Sequence, residues 1–426
     1  MKHPHLPYCS RAHAPLQSMP RGARAEHGER GVALILVLVF IVLLSVLVVE
    51  FNYETRVEAS FALNQESEFD LRLAARSAVA QGMSLLQQDL LDAKEFGENY
   101  DSLIDSSRWS DGLPFQPLGD AQMRTTISDE FGKINLNALF YLEDDVQKPR
   151  VWLQELLLTL LTVRAETGQF ENDPKVVSDS ILDWLDFSET GDEEERDDGA
   201  EDDFYENSEI PYACKNGPMD TIEELLLIRG MTPDFYYGDP TLDPPQLPLN
   251  EYLTVHGDGH GRININTALP DVLAVLVDHF GGDPADAGEI ELQRSETPLQ
   301  DVAMIESQFG VFLPELLSGQ QGQGQGQGGG NRPPRPQPGA GATSNETYDD
   351  VFVVSSAIFR IYGDAMLEEG VARLETFVLR QPLDENLLPG ITTDQIAHTD
   401  AMLQATGVSA ASPEEQFRIL DSKFIQ

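Results

Sequence analysis

The chain begins with a polar, basic stretch that stops at Arg30-Gly31. Residues 32–49 follow as an unbroken apolar run in which Ser45 is the only polar residue. As a helix this run spans about 27 Å at roughly 1.5 Å per residue, close to the apolar thickness of a bilayer. Residues 50–96 contain no proline, and Leu71, Ala75, Ala78, Leu85 and Leu86 recur at helical spacing between Arg72, Arg76, Gln81 and Gln87. The pattern predicts one long helix, apolar first and amphipathic later, ending near Phe96-Gly97. A turn-rich stretch runs to Gly119, and then 122–128 alternates as a strand does. Two late runs, 351–361 and 371–380, predict a further strand pair.

Between the early and late strands the periodicity is helical. The motif Gly132-Lys133-Ile134-Asn135-Leu136-Asn137 has a near copy 129 residues later, Gly261-Arg262-Ile263-Asn264-Ile265-Asn266. A helical stretch follows each copy, at 151–165 and at 270–280. We read both as a short buried strand feeding a helix capped by Asn or Thr, not as a binding motif, and as a hint of two related subdomains. Further helices are expected at 176–187 and 221–229, the second capped by Asp220 or Thr221 with Glu223 and Glu224 in its first turn. Residues 318–344 are Gly/Gln/Pro-rich low complexity that cannot bury a core. The expected class is therefore α+β: a long N-terminal helix, a small antiparallel sheet, and a large all-α domain inserted between strands.

Charge narrows the partners. The chain has 28 basic and 72 acidic residues, a net charge of −44, and loss of residues 1–31 would make it −47. Such a surface repels phosphate backbones, so nucleic acid is excluded as a partner, and divalent cations are a natural complement. The five basic residues before the apolar run, against Glu50 and Glu54 after it, place the N-terminus in the cytoplasm and the rest outside. Cys9 and Cys214 make no disulfide framework, and Cys214 is expected to be a buried thiol. Gly31 directly before the apolar run suits a peptidase that cuts at the cytoplasmic face and leaves the hydrophobic segment on the product.

One segment carries candidate chemistry. Residues 179–209 hold fifteen acidic residues and one basic residue, Arg196. Asp183 and Asp186 lie one helical turn apart around Trp184, and an acidic loop to Asp198 is followed by Gly199-Ala200-Glu201-Asp202-Asp203. Hard cations such as calcium take six to eight oxygens from carboxylates and carbonyls, which a helix end facing an acidic turn can supply. The alternative is a solvated charge run. His256 and His260 in HGDGH lack a third zinc ligand nearby, and the glycines favour a loop. No catalytic motif is present, and the chain is read as not an enzyme.

RGVALILVLVF, then SDSILDWLDFSE with GAEDDFY and PYACKNGPMDTIEELLLIRGMT, then GRININTALPDVLAVL, then the late strand pair, stand in the order that resembles the minor pseudopilin K family of type II secretion systems. The resemblance covers about residues 30–380. It implies a prepilin-type leader cut after Gly31 by prepilin peptidase, with methylation of Val32. It places Leu36 where most prepilins carry a glutamate, and so implies a position at the tip of the periplasmic pseudopilus, with the apolar helix packing against its neighbours. It implies calcium held by Asp186, Glu201 and Asp202, with Asp183, Asp198 and Asp203 as further candidates. Implied partners are other minor pseudopilins of the tip complex, the major pseudopilin, the peptidase and the inner membrane, with exported proteins a further candidate. The expected organisation is leader 1–31, membrane helix 32–49, amphipathic continuation 50–96, first part of a pilin-like sheet 97–135, inserted helical domain 136–317, linker 318–344, terminal strands 345–382 and polar tail 383–426. A minor pilin of a type IV pilus or competence system, a membrane-anchored periplasmic calcium-binding protein and a metal-dependent hydrolase are the rival readings.

Overall fold

The computed structural model describes residues 29–96, 100–103, 109–143, 146–187, 196–242, 245–313, 347–368, 370–380 and 417–425. Most of the leader, the whole 318–344 linker and most of the tail lie outside the described residues. Helix α1 (Glu29–Phe96) is continuous over 68 residues. Contacts divide the chain at Glu66/Ser67 into two units. The first contains the apolar part of α1, whose residues 32–66 are all exposed. The second, from Ser67, holds everything else.

In the second unit five antiparallel strands lie in the order β1 (Leu113–Leu118), β2 (Ala121–Asp129), β9 (Ile358–Leu367), β10 (Gly370–Arg380), β11 (Phe417–Ile425). The sheet packs on α1 through small residues. Ala74, Ala75, Ala78 and Val79 are buried there. A Cβ on Gly363 of β9 would lie 2.2 Å from the Ala75 carbonyl oxygen, and one on Gly82 would lie 2.7 Å from Ile361. Glycine at both positions therefore allows strand and helix to approach backbone to backbone. Thr125 on β2 donates to the Ala78 carbonyl oxygen at 2.8 Å. Trp109 closes one end, edge-on to Phe359 at 5.2 Å.

The insertion leaves the sheet after Asp129 and returns at Ile358. It comprises β3 (Ile134–Asn135), the hairpin β4 (Phe140–Glu143) and β5 (Val146–Pro149), α2 (Val151–Gly168), α3 (Pro174–Leu185), α4 (Asp202–Tyr205), α5 (Pro233–Tyr237), β6 (Leu253–Thr254), β7 (Ile263–Asn264), α6 (Pro270–His279), α7 (Ala287–Glu296), α8 (Ile305–Phe309), α9 (Tyr348–Val351) and β8 (Phe352–Val353). Its core is separate and runs from Trp152, Leu153, Leu156 and Leu157 of α2 to Val272, Leu273 and Leu276 of α6.

The two motif copies are built alike. Asn135 Oδ1 accepts from the Asn137 N–H (3.1 Å), and Asn264 Oδ1 from the Asn266 N–H (3.0 Å). The next asparagine of each copy clamps a distant backbone amide from both sides. Asn137 binds Met219 at 2.9 and 2.8 Å. Asn266 binds Leu299 at 2.9 and 2.9 Å. Both strands pair in parallel, β3 with β6 and β7 with β8. The asparagines thus satisfy turns and cross-links, whereas α2 and α6 start without a side-chain cap bond.

The sheet is larger than the sequence pattern predicts. β1 contains Pro114 and Pro117, which an edge strand tolerates because it need not donate on both sides. The tail expected at 383–426 contributes β11, paired with β10 from Arg373 to Arg380. The helix expected at 221–229 is a 3₁₀ segment, Ile222–Leu227, with the Glu224 carboxylate accepting from the Asp220 and Thr221 N–H groups. The run 351–361 divides between α9, β8 and β9.

Candidate functional site

Two features could carry function, and they belong to different units. In α1, residues 32–49 are the one stretch among the described residues long and apolar enough to cross a membrane. Leu36 is 59% exposed and Val32 is likewise outward, so neither is used in this chain's own packing. The polar groups at this end are satisfied inside the helix: Ser45 Oγ donates to the Ile41 carbonyl (2.8 Å) and Asn52 Nδ2 to that of Val48 (2.7 Å). Such internal satisfaction lets the segment enter an apolar medium. Gly31 lies in the first turn of α1.

The acidic segment forms around the C-terminal end of α3. Asp173 caps this helix on the Lys175 N–H, with Pro174 in the first turn. Helical spacing then puts Asp183 on the buried face and Asp186 at the C-cap. Arg196 Nη1 donates to Asp183 Oδ1 and to Asp186 Oδ2, both at 2.6 Å. Asp183 Oδ2 is buried with no hydrogen-bond partner among the described residues. Gly199 lies against it, and a Cβ there would be 1.7 Å from that oxygen. Burial pushes the Asp183 carboxyl above its ordinary range, against the pull of Arg196. Asp202 Oδ1 accepts from the Cys214 N–H (2.7 Å), and the Cys214 thiol approaches the Asp183 carbonyl oxygen at 3.7 Å. Burial raises that thiol to about 12, so Cys214 is the inert buried thiol expected.

The structure therefore brings Asp183, Asp186 and Asp202 to one end of α3. Asp198 instead pairs with Lys175 at 2.5 Å. Asp203 is exposed, and its carbonyl oxygen accepts from Asn207. Glu201 is the residue before α4. No three His, Cys, Asp or Glu side chains converge at metal-binding spacing among the described residues. The cation at the centre is the Arg196 guanidinium, the one basic residue of the acidic run. An orphaned buried carboxylate oxygen in a glycine cradle is nonetheless the donor chemistry that a hard cation takes. Sequence reasoning missed Gly199 and Cys214 as framework. Arg196 was visible, but its role was not.

The HGDGH loop is structural. His256 stacks on Phe377 at 4.4 Å, and Asp258 pairs with Arg262 at 2.8 Å.

Comparison with known proteins bears on both features. Residues 132–238, the part of the insertion that carries the first motif copy and the acidic segment, match the family described as Type II secretion system (T2SS), protein K. The chain is 26% identical over 290 residues to the type II secretion system protein K of Klebsiella pneumoniae, covering 66% of this chain and 80% of that one. It is 26% identical over 213 residues to the putative type II secretion system protein K of Escherichia coli strain K12, covering 49% and 60%. Its fold resembles a chain of the GspK-GspI-GspJ complex from the enterotoxigenic Escherichia coli type 2 secretion system, with a TM-score of 0.55 at 18% identity over 85% of this chain and 98% of that one. Within the insertion, residues 132–238 carry that family's sequence pattern, and the fold is shared with nearly the whole of a solved chain, so the chain is similar to type II secretion system protein K in both sequence and fold.

Proposed function

We propose that the chain is cut between Gly31 and Val32, is held in the inner membrane by residues 32–49 with the N-terminus cytoplasmic, and caps the tip of a periplasmic pseudopilus. The observation that carries this reading is the exposed apolar run of α1 at residues 32–49, which contains no carboxylate. A buried carboxylate without its cation is costly, so a subunit with nothing further out to pair with is best served by an apolar residue such as Leu36. The insertion between β2 and β9 supports the same position, because its bulk suits a single terminal copy better than a repeated shaft subunit. Partners would be other minor pseudopilins, as GspI and GspJ accompany GspK in the solved complex, and then the major pseudopilin. The ensemble would nucleate pseudopilus assembly for protein export. The role is structural, not catalytic.

Co-expression with a prepilin peptidase tests this. N-terminal sequencing should find Val32 first, with the intact mass one methyl group heavier; an uncut chain overturns the reading. Leu36→Asp should abolish recovery of partner pseudopilins while the second unit stays folded.

Calcium belongs to the same proposal. Asp183, Asp186, Glu201 and Asp202 would hold it, with Arg196 displaced, and the ion would fix the turn after α3 by neutralising its carboxylates. Chelation should lower the melting temperature, and Asp186→Asn should remove that response. A melting temperature indifferent to chelator discards calcium.

A further inference from the structure

The insertion meets the sheet at a neck, and one side of that neck holds more buried negative charge than positive. Arg380, the last residue of β10, donates to Asp101 at 2.7 Å through Nη2 and to Asp89 of α1 at 3.1 Å through Nη1. Its guanidinium also covers the Phe359 ring at 4.6 Å and donates to the Ser356 carbonyl oxygen at 2.8 Å. Asp101 accepts from the Ser356 N–H at 2.7 Å. Ser356 Oγ donates to Asp129, the last residue of β2, at 2.6 Å. Asp129 makes no salt bridge among the described residues and feels Arg380 only through space. It accepts from Thr267 Oγ1 (2.5 Å), Asn264 Nδ2 (3.3 Å) and the Phe131 N–H (2.8 Å), all from the insertion or its root. Asp92 of α1 also acts on Asp89 and raises it.

Three carboxylates thus share one guanidinium at the point where α1, β2, β10 and both strands of the neck meet. Full ionisation leaves two uncompensated negative charges in a buried site, which low local polarity penalises. We propose that the Asp89–Asp101–Asp129–Arg380 cluster is a protonation-controlled clasp, which ties the insertion to the sheet more firmly as the surroundings acidify.

The titration fits that geometry. Burial, with Asp101 beside it, raises Asp89 to about 7 against the pull of Arg380. Burial raises Asp129 to about 6, although Ser356 and Thr267 donate to it. A carboxyl whose pKa is raised on folding binds its proton more tightly in the folded state. Its stabilisation is complete below about pH 4, the ordinary value, and is lost as pH rises through 6 and 7. The neck should therefore loosen between pH 5 and pH 8.

The test is urea unfolding of the detergent-solubilised full chain at pH 5.5 and pH 8.0. The wild type should unfold at a higher urea concentration at pH 5.5. The double variant Asp89→Asn/Asp129→Asn should lose most of that difference by gaining resistance at pH 8.0. The exposed pair Glu289→Gln/Glu306→Gln controls for general charge repulsion and should keep the wild-type difference. A cluster variant with the full wild-type difference, or a wild type with none, overturns the proposal. If the double variant does not fold, carboxyl-selective NMR titration of Asp89 and Asp129 in the wild type decides: midpoints near 6 to 7 support the clasp, and midpoints near 4 overturn it.

Discussion

Asp129 and Glu130 are neighbours at the end of β2, and both are buried, yet they lie in opposite electrostatic surroundings. Glu130 faces Lys133 at 2.5 Å and Arg360 at 3.3 Å, and it accepts from the Thr254 hydroxyl. Arg360 goes on to Glu251 (3.0 Å) and Glu375 (3.7 Å), and Lys423 of β11 joins Glu375 (3.2 Å) to Glu223 at the exposed rim (2.7 Å). On this side Lys133, Arg360 and Lys423 answer Glu130, Glu251 and Glu375, with Glu223 as a fourth carboxylate at the solvent-screened rim. Burial alone would raise Glu130, but the Lys133 ammonium and the Arg360 guanidinium outweigh it and hold the carboxyl below its ordinary range. On the other side one arginine answers three aspartates, and Asp129 is pushed up. Depth is shared, so the supply of counter-charge decides which carboxylate titrates near neutral pH. A matched network makes a permanent joint, and an unmatched one makes a joint whose strength follows pH.

The comparison breaks most readily at its best-matched residue. Arg360→Met keeps the apolar volume but leaves Glu130, Glu251 and Glu375 short of a cation. Loss of one partner in a buried ion pair costs about 3–5 kcal/mol. Chemical denaturation at pH 7 should read a loss of that size, and the matched side should then gain a pH dependence of its own. A loss under about 1 kcal/mol would mean that the two sides do not differ in kind. Lys133→Met comes next. Glu130 keeps Arg360 and Thr254, so the cost should fall to about 2–3 kcal/mol, the worth of a charged hydrogen bond.

Neither side of the neck was legible in the sequence, and the reason is separation along the chain. Asp89 and Arg380 are 291 residues apart, and Glu130 and Thr254 are 124 apart. Periodicity reports neighbours within a few turns, so it found α1, β2 and the helical character of the insertion. It also found Asp183 and Asp186, which are one turn apart on α3. It did not find that Asp183 would be wholly buried, or that Gly199 would have to lie against it, because both follow from the loop after α3 folding back. β1 was hidden by its prolines, and β11 by the polar stretch before it. The twin asparagine motifs were legible as a repeat, but their work was not: Asn137 and Asn266 hold backbone 82 and 33 residues away.

Asp101 sharpens the comparison from the unmatched side. It is the second cause of the raised Asp89, after burial. Asp101→Asn removes a charged pair to Arg380 while keeping an acceptor for the Ser356 N–H, so it should cost about 1–2 kcal/mol at pH 8. It should also lower the Asp89 midpoint from about 7 and narrow the stability difference between pH 5.5 and pH 8. An unmoved Asp89 midpoint would show that burial alone sets it, and the charge count would lose its part in the argument.

The smallest effect is expected at Lys423, where the matched network reaches solvent. Its side chain is 32% exposed, and Glu223 beyond it is 43% exposed. Ion pairs of this kind contribute at most about 1 kcal/mol, because water and salt screen them. β11 is held chiefly by its ladder with β10, so Lys423→Ala should leave the strand in place and cost less than about 1 kcal/mol. In 1 M salt, where the screening length falls to about 3 Å, variant and wild type should become indistinguishable. A cost comparable to that of Arg360→Met, and insensitive to salt, would move the strength of the matched side from its buried centre to its rim. The neck would then be fastened by the last strand of the chain and not by the pairing around Glu130.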